Sequence, residues 1–121
     1  MRVYNLLKDF FSPKEVIYIN DGFSIRPAIK DLESHDQLAI DTEFIWRDTY
    51  FPKLSLIQIA TDNKIYIFDC LTLDISLLEK VFLNKNILKI FHSVRGDSSV
   101  IFICLGIKIK NIFDTQLAED I

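Results

Sequence analysis

The chain has 121 residues, of which 50% are apolar and 26% are charged, and its formal net charge is −3. This length accommodates one well-packed domain rather than two, and the composition excludes a disordered chain. Because the net charge is negative, affinity for a polyanion cannot come from a basic field over the whole molecule. Any contact with nucleic acid would have to rest on local sites and metal ions.

Two cysteines, Cys70 and Cys104, lie far apart, each within an apolar run. Lone cysteines of this kind indicate reduced thiols in the core of a cytoplasmic protein rather than a disulfide framework or a metal site. Residues 1–14 are interpreted as an N-terminal extension, helical over 1–12, where apolar side chains recur at helical spacing. Charged residues interrupt its apolar stretch, so we expect neither a signal peptide nor a membrane span.

The remaining residues, 15–121, are expected to form a single domain whose first half is rich in strands. The first strand is EVIYIN, closed by Asp21-Gly22, and Ser24 is predicted to cap the helix that follows. Pro27 then falls in the first helical turn, where its missing N–H is tolerated. Further strands are predicted at 38–44, 54–61 and 64–69, with Asp62-Asn63 as the tight turn between the last two.

The second half of the domain alternates helices and strands. A helix is predicted from Asp74, another ends at Gly106, and a last helix opens at Thr115 with Asp114 as its N-cap. Strands are predicted at 87–92 and 107–113. Short links favour antiparallel neighbours early in the chain, and helical crossovers favour parallel strands later. The pattern therefore predicts an α/β fold, a mixed sheet that is antiparallel first and then parallel, with helices on both faces.

Two carboxylates, Asp41 and Glu43, interrupt the apolar strand LAIDTEF. Because alternate residues of a strand point the same way, the two acids share a face about 6.5 Å apart, with Thr42 on the other face. Ionised carboxylates this close repel each other unless a cation lies between them, and Mg²⁺ or Mn²⁺ prefers such oxygen ligands. A strand end that emerges into water, with both acids solvated, is the alternative that spacing alone leaves open.

A third acid, Asp97, lies early in the helix SVRGDSSVIFICLG. Val100, Ile101 and Cys104 follow it at positions i+3, i+4 and i+7, so Asp97 is predicted to face the core. A carboxylate on that face needs a partner. The alternative is a first-turn carboxylate stabilised by the helix N-terminus.

Four segments of the chain, AIDTEF, RDTYFPKLSLIQIA, KIFHSVRGDSSVI and IFDTQLAED, occur in this order. Together they resemble the ribonuclease D branch of the DEDD 3′–5′ exonucleases, from about residue 16 to the last residue. The resemblance implies a ribonuclease H-like fold, in agreement with the mixed α/β pattern. It also implies that Asp41 and Glu43 correspond to the family's first acidic motif and Asp97 to its second.

The same resemblance implies hydrolysis of phosphodiester bonds at RNA 3′ ends, with tRNA 3′ processing as one such reaction. Two divalent cations, Mg²⁺ or Mn²⁺, would be the cofactors. Asp41 would bind both ions, Glu43 the ion that activates water, and Asp97 the second ion. The preference for RNA over DNA follows from the resemblance alone.

Three more residues are expected to contact the substrate, namely Thr42, Phe44 and His92. Phe44 could stack on a terminal base, because aromatic–base stacking tolerates any sequence. Packing in the core is an equal alternative for Phe44, and a structural role is the alternative for His92.

The family's third motif, a Tyr or His followed four residues later by an Asp, is absent from this sequence, which stops seven residues after Asp114. The fold is therefore expected to be truncated at its C-terminus. Three explanations stay open: a split or degraded gene product, a site whose missing helix comes from a second chain or a second copy, and a piece cut from a longer protein. The sequence leaves open whether the chain is an active enzyme or an inactive remnant that binds nucleic acid or a partner chain. We expect a cytoplasmic location and no membrane partner.

Overall fold

The structure, a computed structural model, describes residues 14–45, 52–92 and 94–116. These residues form a six-stranded sheet with the strand order β1-β4-β3-β2-β5-β6. The strands are β1 (Glu15–Ile19), β2 (Gln37–Ile45), β3 (Lys53–Ala60), β4 (Lys64–Asp69), β5 (Leu88–Phe91) and β6 (Ile112–Asp114). The helices are α1 (Gly22–Glu33), α2 (Glu79–Phe82), which follows a 3₁₀ turn at Ile75–Leu78, and α3 (Val94–Leu105).

The sheet is mixed, as the order of elements predicts. Strands β2, β3 and β4 pair antiparallel. The turn between β3 and β4 is closed by a 2.8 Å hydrogen bond from the Thr61 N–H to the Lys64 carbonyl oxygen. Strand β5 pairs parallel with both β2 and β6. Strand β1 pairs parallel with β4 at the sheet edge, because α1 carries the chain past β3 and β4 before β2 begins. The α/β architecture predicted from the sequence is confirmed.

One face of the sheet carries the main core. Its strand residues alternate along β2, β3 and β4 and pack against buried side chains of all the helices in the described ranges. The largest fully buried members include Leu32, Ile57, Phe68, Phe82 and Ile101.

The other face of the sheet has a much smaller apolar cluster. Ala60 and Ile90 are buried there, with the half-buried Ala39, Ile65 and Phe113 packed against them. The helices expected over 1–12 and beyond 116 lie outside the described residues. The prediction that helices also cover this second face therefore stays a prediction.

The start of α1 differs from the prediction. Asp21, not Ser24, is the N-cap, because its Oδ1 accepts hydrogen bonds from the Phe23 and Ser24 N–H groups (3.0 and 2.8 Å). The helix therefore begins at Gly22, and Pro27 lies in its second turn rather than its first. Asp21 was expected only to close the preceding strand, but an Asp caps a helix about as well as a Ser does.

The segment after α3 also differs from the prediction. Gly106 ends the helix with a positive φ of 71°, as expected of a C′ glycine. The alternating pattern of 107–113 predicted a long strand, but only Ile112–Asp114 is one. Asn111 has a φ of 63°, which breaks the extended conformation before β6.

Both cysteines are free thiols, but only Cys70 lies against the core. Cys104 is exposed, and the prediction that it is a core thiol is wrong. It lies in the last turn of α3, where its Sγ reaches only the rim of the core, 3.9 Å from the Pro52 carbonyl oxygen. Within the described residues, none of the helices has the length and apolar character that crossing a bilayer requires.

Candidate active site

The two strand acids lie on β2, a central strand of the sheet. Asp41 and Glu43 are both exposed, whereas Thr42 between them is only 6% exposed and faces the helices. The alternation predicted from the sequence therefore holds. A shift in the register of β2 against β3 falls between Glu43 and Phe44, and such bulges re-aim side chains where a strand leaves its sheet.

The helix acid reaches the same strand from the opposite side. Asp97 lies in the first turn of α3 and is 8% exposed, and its neighbours Val100 and Ile101 pack into the core. The Thr42 hydroxyl donates a short hydrogen bond to Asp97 Oδ1. The prediction that Asp97 faces the core and needs a partner is confirmed, and its partner is a threonine hydroxyl.

Thr42 connects the acids of the two elements. Its backbone N–H donates to Asp41 Oδ1 at 3.0 Å and also stabilises the charged form of Asp97. Asp41 and Asp97 are thus held on the same residue, while Glu43 acts on Asp97 through its charge. Within 14–45, 52–92 and 94–116, however, no three His, Cys, Asp or Glu side chains stand close enough together to hold one ion.

The pKa of Asp97 is raised to about 6, chiefly because burial penalises its charged form. The hydrogen bonds from Thr42 lower it, and the negative charges of Asp41 and Glu43 raise it again. Neighbouring carboxylates that raise one another's pKa by charge repulsion are characteristic of sites that bind a cation or transfer a proton.

The donor chemistry of this site fits a hard divalent cation. Among the side chains that the structure describes, no Lys or Arg forms an ion pair with Asp41, Glu43 or Asp97. Carboxylate oxygens are the ligands that Mg²⁺ and Mn²⁺ prefer, and a bound cation would offset the repulsion that the charges of Asp41 and Glu43 exert on Asp97.

His92 follows β5 and lies beside Thr115, which follows β6. Its Nδ1 is 2.8 Å from Thr115 Oγ1, which in turn donates to the Phe91 carbonyl oxygen at 3.2 Å. A hydroxyl has one proton, and the carbonyl can only accept, so His92 must be the donor to Thr115. This contact selects the tautomer with the proton on Nδ1 and leaves Nε2 as a hydrogen-bond acceptor.

A cavity of about 440 Å³ lies on the second face of the sheet, beside Asp41 and His92. Its polar lining comes from four residues and its floor from small and β-branched side chains of β2, β3, β4 and β5. The polar residues are Asp41, Gln58, His92 and Thr115.

Two of these polar residues, Gln58 and Thr115, were not predicted as site residues. Gln58 is directly opposite Asp41 in the β2–β3 register, a signal that becomes readable once the hairpin pairing is known. Thr115 was interpreted only as the second residue of a helix start, and its side chain is fully buried.

Thr42 and Phe44, the other two residues expected to contact the substrate, differ in exposure. The Thr42 side chain faces Asp97 and not the cavity, so a substrate contact by its side chain stays a prediction. Phe44 is 37% exposed, between the alternatives of stacking on a base and packing in the core.

Comparison with known proteins identifies the family. A family model described as a 3′–5′ exonuclease matches residues 16–121. The chain belongs to this family of 3′–5′ exonucleases. Members of the family generally depend on divalent metal ions and act on nucleic acid.

Within this exonuclease family the chain is similar to ribonuclease D. The ribonuclease D of Desulfotalea psychrophila is 41% identical over 85 residues, which cover 69% of this chain and 23% of that protein. The crystal structure of Escherichia coli RNase D aligns with a TM-score of 0.81 at 25% identity, covering 87% of this chain and 28% of that one. The catalytic core of RRP6 from Trypanosoma brucei aligns with a TM-score of 0.84 at 28% identity, covering 90% of this chain and 32% of that one.

These likenesses confirm both the resemblance to ribonuclease D and the ribonuclease H-like fold. The chain spans about a quarter of the length of the curated relatives that it matches. The exonuclease family and the fold are therefore established, and the activity of this chain is a separate question.

Proposed function

We propose that residues 15–121 form the first part of a ribonuclease D-like exonuclease domain that hydrolyses phosphodiester bonds from the 3′ end of RNA. The observation that carries this proposal is the pairing of a strand acid and a helix acid on one residue, since Asp41 and Asp97 are both hydrogen-bonded to Thr42. Burial of the Asp97 carboxylate costs free energy, and carboxylates with a pKa perturbed in this way are concentrated at functional sites.

Asp41, Glu43 and Asp97 would hold two divalent cations, Mg²⁺ or Mn²⁺. Such ions supply a water nucleophile at neutral pH and stabilise the charge that develops on the phosphate and on the leaving oxygen. The burial of Asp97 favours its protonated form, so ion binding would compete with a proton at this carboxylate. A further ligand from outside the described residues, in this chain or a second one, would complete the site.

The substrate is proposed to be RNA because the similar Escherichia coli RNase D is an exoribonuclease involved in structured RNA processing. Phe44 would stack on the terminal base, and Thr42 and His92 would contact the terminal nucleotide. The His92 tautomer supports this role, because its Nε2 is left as an acceptor beside the cavity that Asp41 lines. The free thiols of Cys70 and Cys104 are consistent with a cytoplasmic location, which we include in the proposal.

The proposal is tested with a 5′-labelled oligoribonucleotide and Mn²⁺. We expect the wild-type chain to produce a ladder shortened from the 3′ end, and EDTA to abolish it. Asp41→Ala and Asp97→Ala should each reduce the rate on the order of 100-fold or more, because loss of an ion ligand removes several kcal/mol of transition-state stabilisation.

The control is Glu15→Ala, which removes an exposed acid on the edge strand β1, outside the cavity, and should leave the rate unchanged. Equal shortening by wild type and Asp41→Ala would point to a contaminating nuclease. Binding of the oligoribonucleotide without any shortening would contradict the proposed activity.

A further inference from the structure

The charge of this chain is distributed unevenly. Residues 80–113 contain six of the 14 basic residues but only one of the 17 acidic residues, so this segment carries a charge of +5 and the rest of the chain −8. The single acid of the segment is Asp97, which belongs to the candidate active site. A positive region on an acidic protein is the local feature that contact with a polyanion requires.

The fold brings two lysine-bearing loops of this segment together. The loop before β5 contains Lys85, and the loop before β6 contains Lys108 and Lys110. Asn111 Nδ2 donates to the Lys85 carbonyl oxygen at 2.9 Å, and the Lys110 N–H donates to the Phe82 carbonyl oxygen at 2.9 Å. Residues more than 20 positions apart are thereby fixed side by side.

A buried lysine ties the same two loops together. Lys89 is a fully buried residue whose pKa burial lowers to about 8, and its Nζ donates to the carbonyl oxygens of Asn84 and of Lys110, the latter at 2.8 Å. Carbonyl oxygens rather than a carboxylate satisfy Lys89, so it adds to the positive charge beneath the loops without a countercharge among these partners. These hydrogen bonds therefore hold the two loops together as one surface.

The three side chains at this surface, Lys85, Lys108 and Lys110, are all exposed. We name them the lysine platform. Asp36 borders the platform, since its carbonyl oxygen accepts a 2.8 Å hydrogen bond from the Leu88 N–H, and Asp62 of the β3–β4 turn lies at the same end of the sheet.

The lysine platform and the candidate active site lie at opposite ends of the same strands. The platform loops precede β5 and β6, whereas His92 and Thr115 directly follow these parallel strands. The separation along β5 is roughly 13 Å at about 3.3 Å per residue. A phosphate held on the platform would thus belong to a nucleotide several positions from the one at the site.

We propose that the lysine platform binds the phosphate backbone of RNA upstream of the 3′ end that is being processed. This inference rests on the proposed function for the identity of the polyanion. Lysines at such a surface position a nucleic acid without reading its sequence, so the platform would hold the body of an RNA while its 3′ end occupies the acidic site. It also resolves how an acidic chain attracts a polyanion, since the attraction would be local.

The test is fluorescence anisotropy of a 5′-labelled RNA hairpin with a single-stranded 3′ tail, titrated with the full chain in EDTA at several salt concentrations. We expect Lys85→Gln/Lys108→Gln to weaken binding on the order of tenfold at 0.1 M salt. The slope of log K against log salt should fall by roughly 1.4 to 1.8, because each of the two lost phosphate contacts contributes about 0.7 to 0.9. The matched control, Arg26→Gln/Lys30→Gln, removes two exposed positive charges from α1 and should change neither value.

Thermal unfolding of both double variants should match wild type, which separates loss of contact from loss of fold. Equal weakening by the two double variants, or no binding by wild type, would overturn the platform. Mn²⁺-dependent shortening measured on the same samples tests the proposed function separately. An RNA that binds through the platform and is not shortened would contradict the exonuclease activity and leave the platform standing.

Discussion

Asp97 is the residue where stability and proposed function oppose each other. Its pKa is raised from 3.8 to about 6, so the folded state holds a proton more tightly than the unfolded state does. The contribution of Asp97 to the free energy of unfolding should therefore fall as the pH rises from about 4 to about 6, with the penalty complete above that window. The penalty is on the order of 2 to 3 kcal/mol in the absence of metal ions.

We predict that Asp97→Asn stabilises the metal-free protein at pH 7, because an amide can accept the Thr42 hydrogen bond without a charge to desolvate. The unfolding temperature in EDTA should rise by several degrees at pH 7, and the difference from wild type should vanish near pH 4. Asp36→Asn, which makes the same change in net charge at an exposed position, is the control. Superimposable pH curves for wild type and Asp97→Asn would show that Asp97 is not desolvated in solution.

The candidate site was only partly readable from the sequence. The shared face of Asp41 and Glu43 followed from strand alternation, and the burial of Asp97 followed from helical spacing. The hydrogen bonds of Thr42 and Thr115 could not be foreseen, because each depends on how two elements separated by more than 20 residues pack together. Short polar side chains on a core face carry no signal of their own until that packing is known.

The elements themselves were predicted well wherever the apolar pattern and the turn chemistry agreed. The hairpin at Asp62-Asn63 and the glycine at the end of α3 are examples, since both residue types are suited to the backbone conformations found there. The predictions failed at two places. Asp21 rather than Ser24 caps α1, and the alternating segment 107–111 is not a strand.

The N-cap of α1 provides a test at this scale. Asp21→Ala should lower the free energy of unfolding by about 1 kcal/mol, because two N–H groups lose their acceptor. Ser24→Ala should cost less, since the Ser24 hydroxyl only donates to Asp21 Oδ2 at 3.0 Å. Urea unfolding of the two variants decides the matter, and a larger loss for Ser24→Ala would restore Ser24 as the cap.

The two faces of the sheet differ in how much apolar packing they carry. The helices in the described ranges cover one face of the sheet, and the main core lies there. The second face carries the cavity, the acid Asp41 and a small cluster of half-buried apolar residues. Asp41 and the cavity therefore lie on the side with less packing, whereas Asp97 approaches the same strand from the helix side through Thr42.

Two isoleucines of the β3–β4 hairpin measure this difference directly. Ile59 faces the helices and is fully buried, whereas Ile65 faces the second side and is half-buried. Ile59→Ala should lower the free energy of unfolding by about 2 to 5 kcal/mol, as expected for a buried isoleucine that leaves a cavity. Ile65→Ala should cost less than half as much, because less apolar surface returns to water.

Both variants delete the same atoms from adjacent antiparallel strands, so strand propensity contributes about equally to the two losses. Urea unfolding gives both free energies from one type of measurement. A cost at Ile65 as large as that at Ile59 would mean that the second face is covered in solution, by residues outside the described ranges or by a second copy of the chain. The cavity beside Asp41 would then be closed to an RNA end, and the proposed exonuclease site would have to open before it could act.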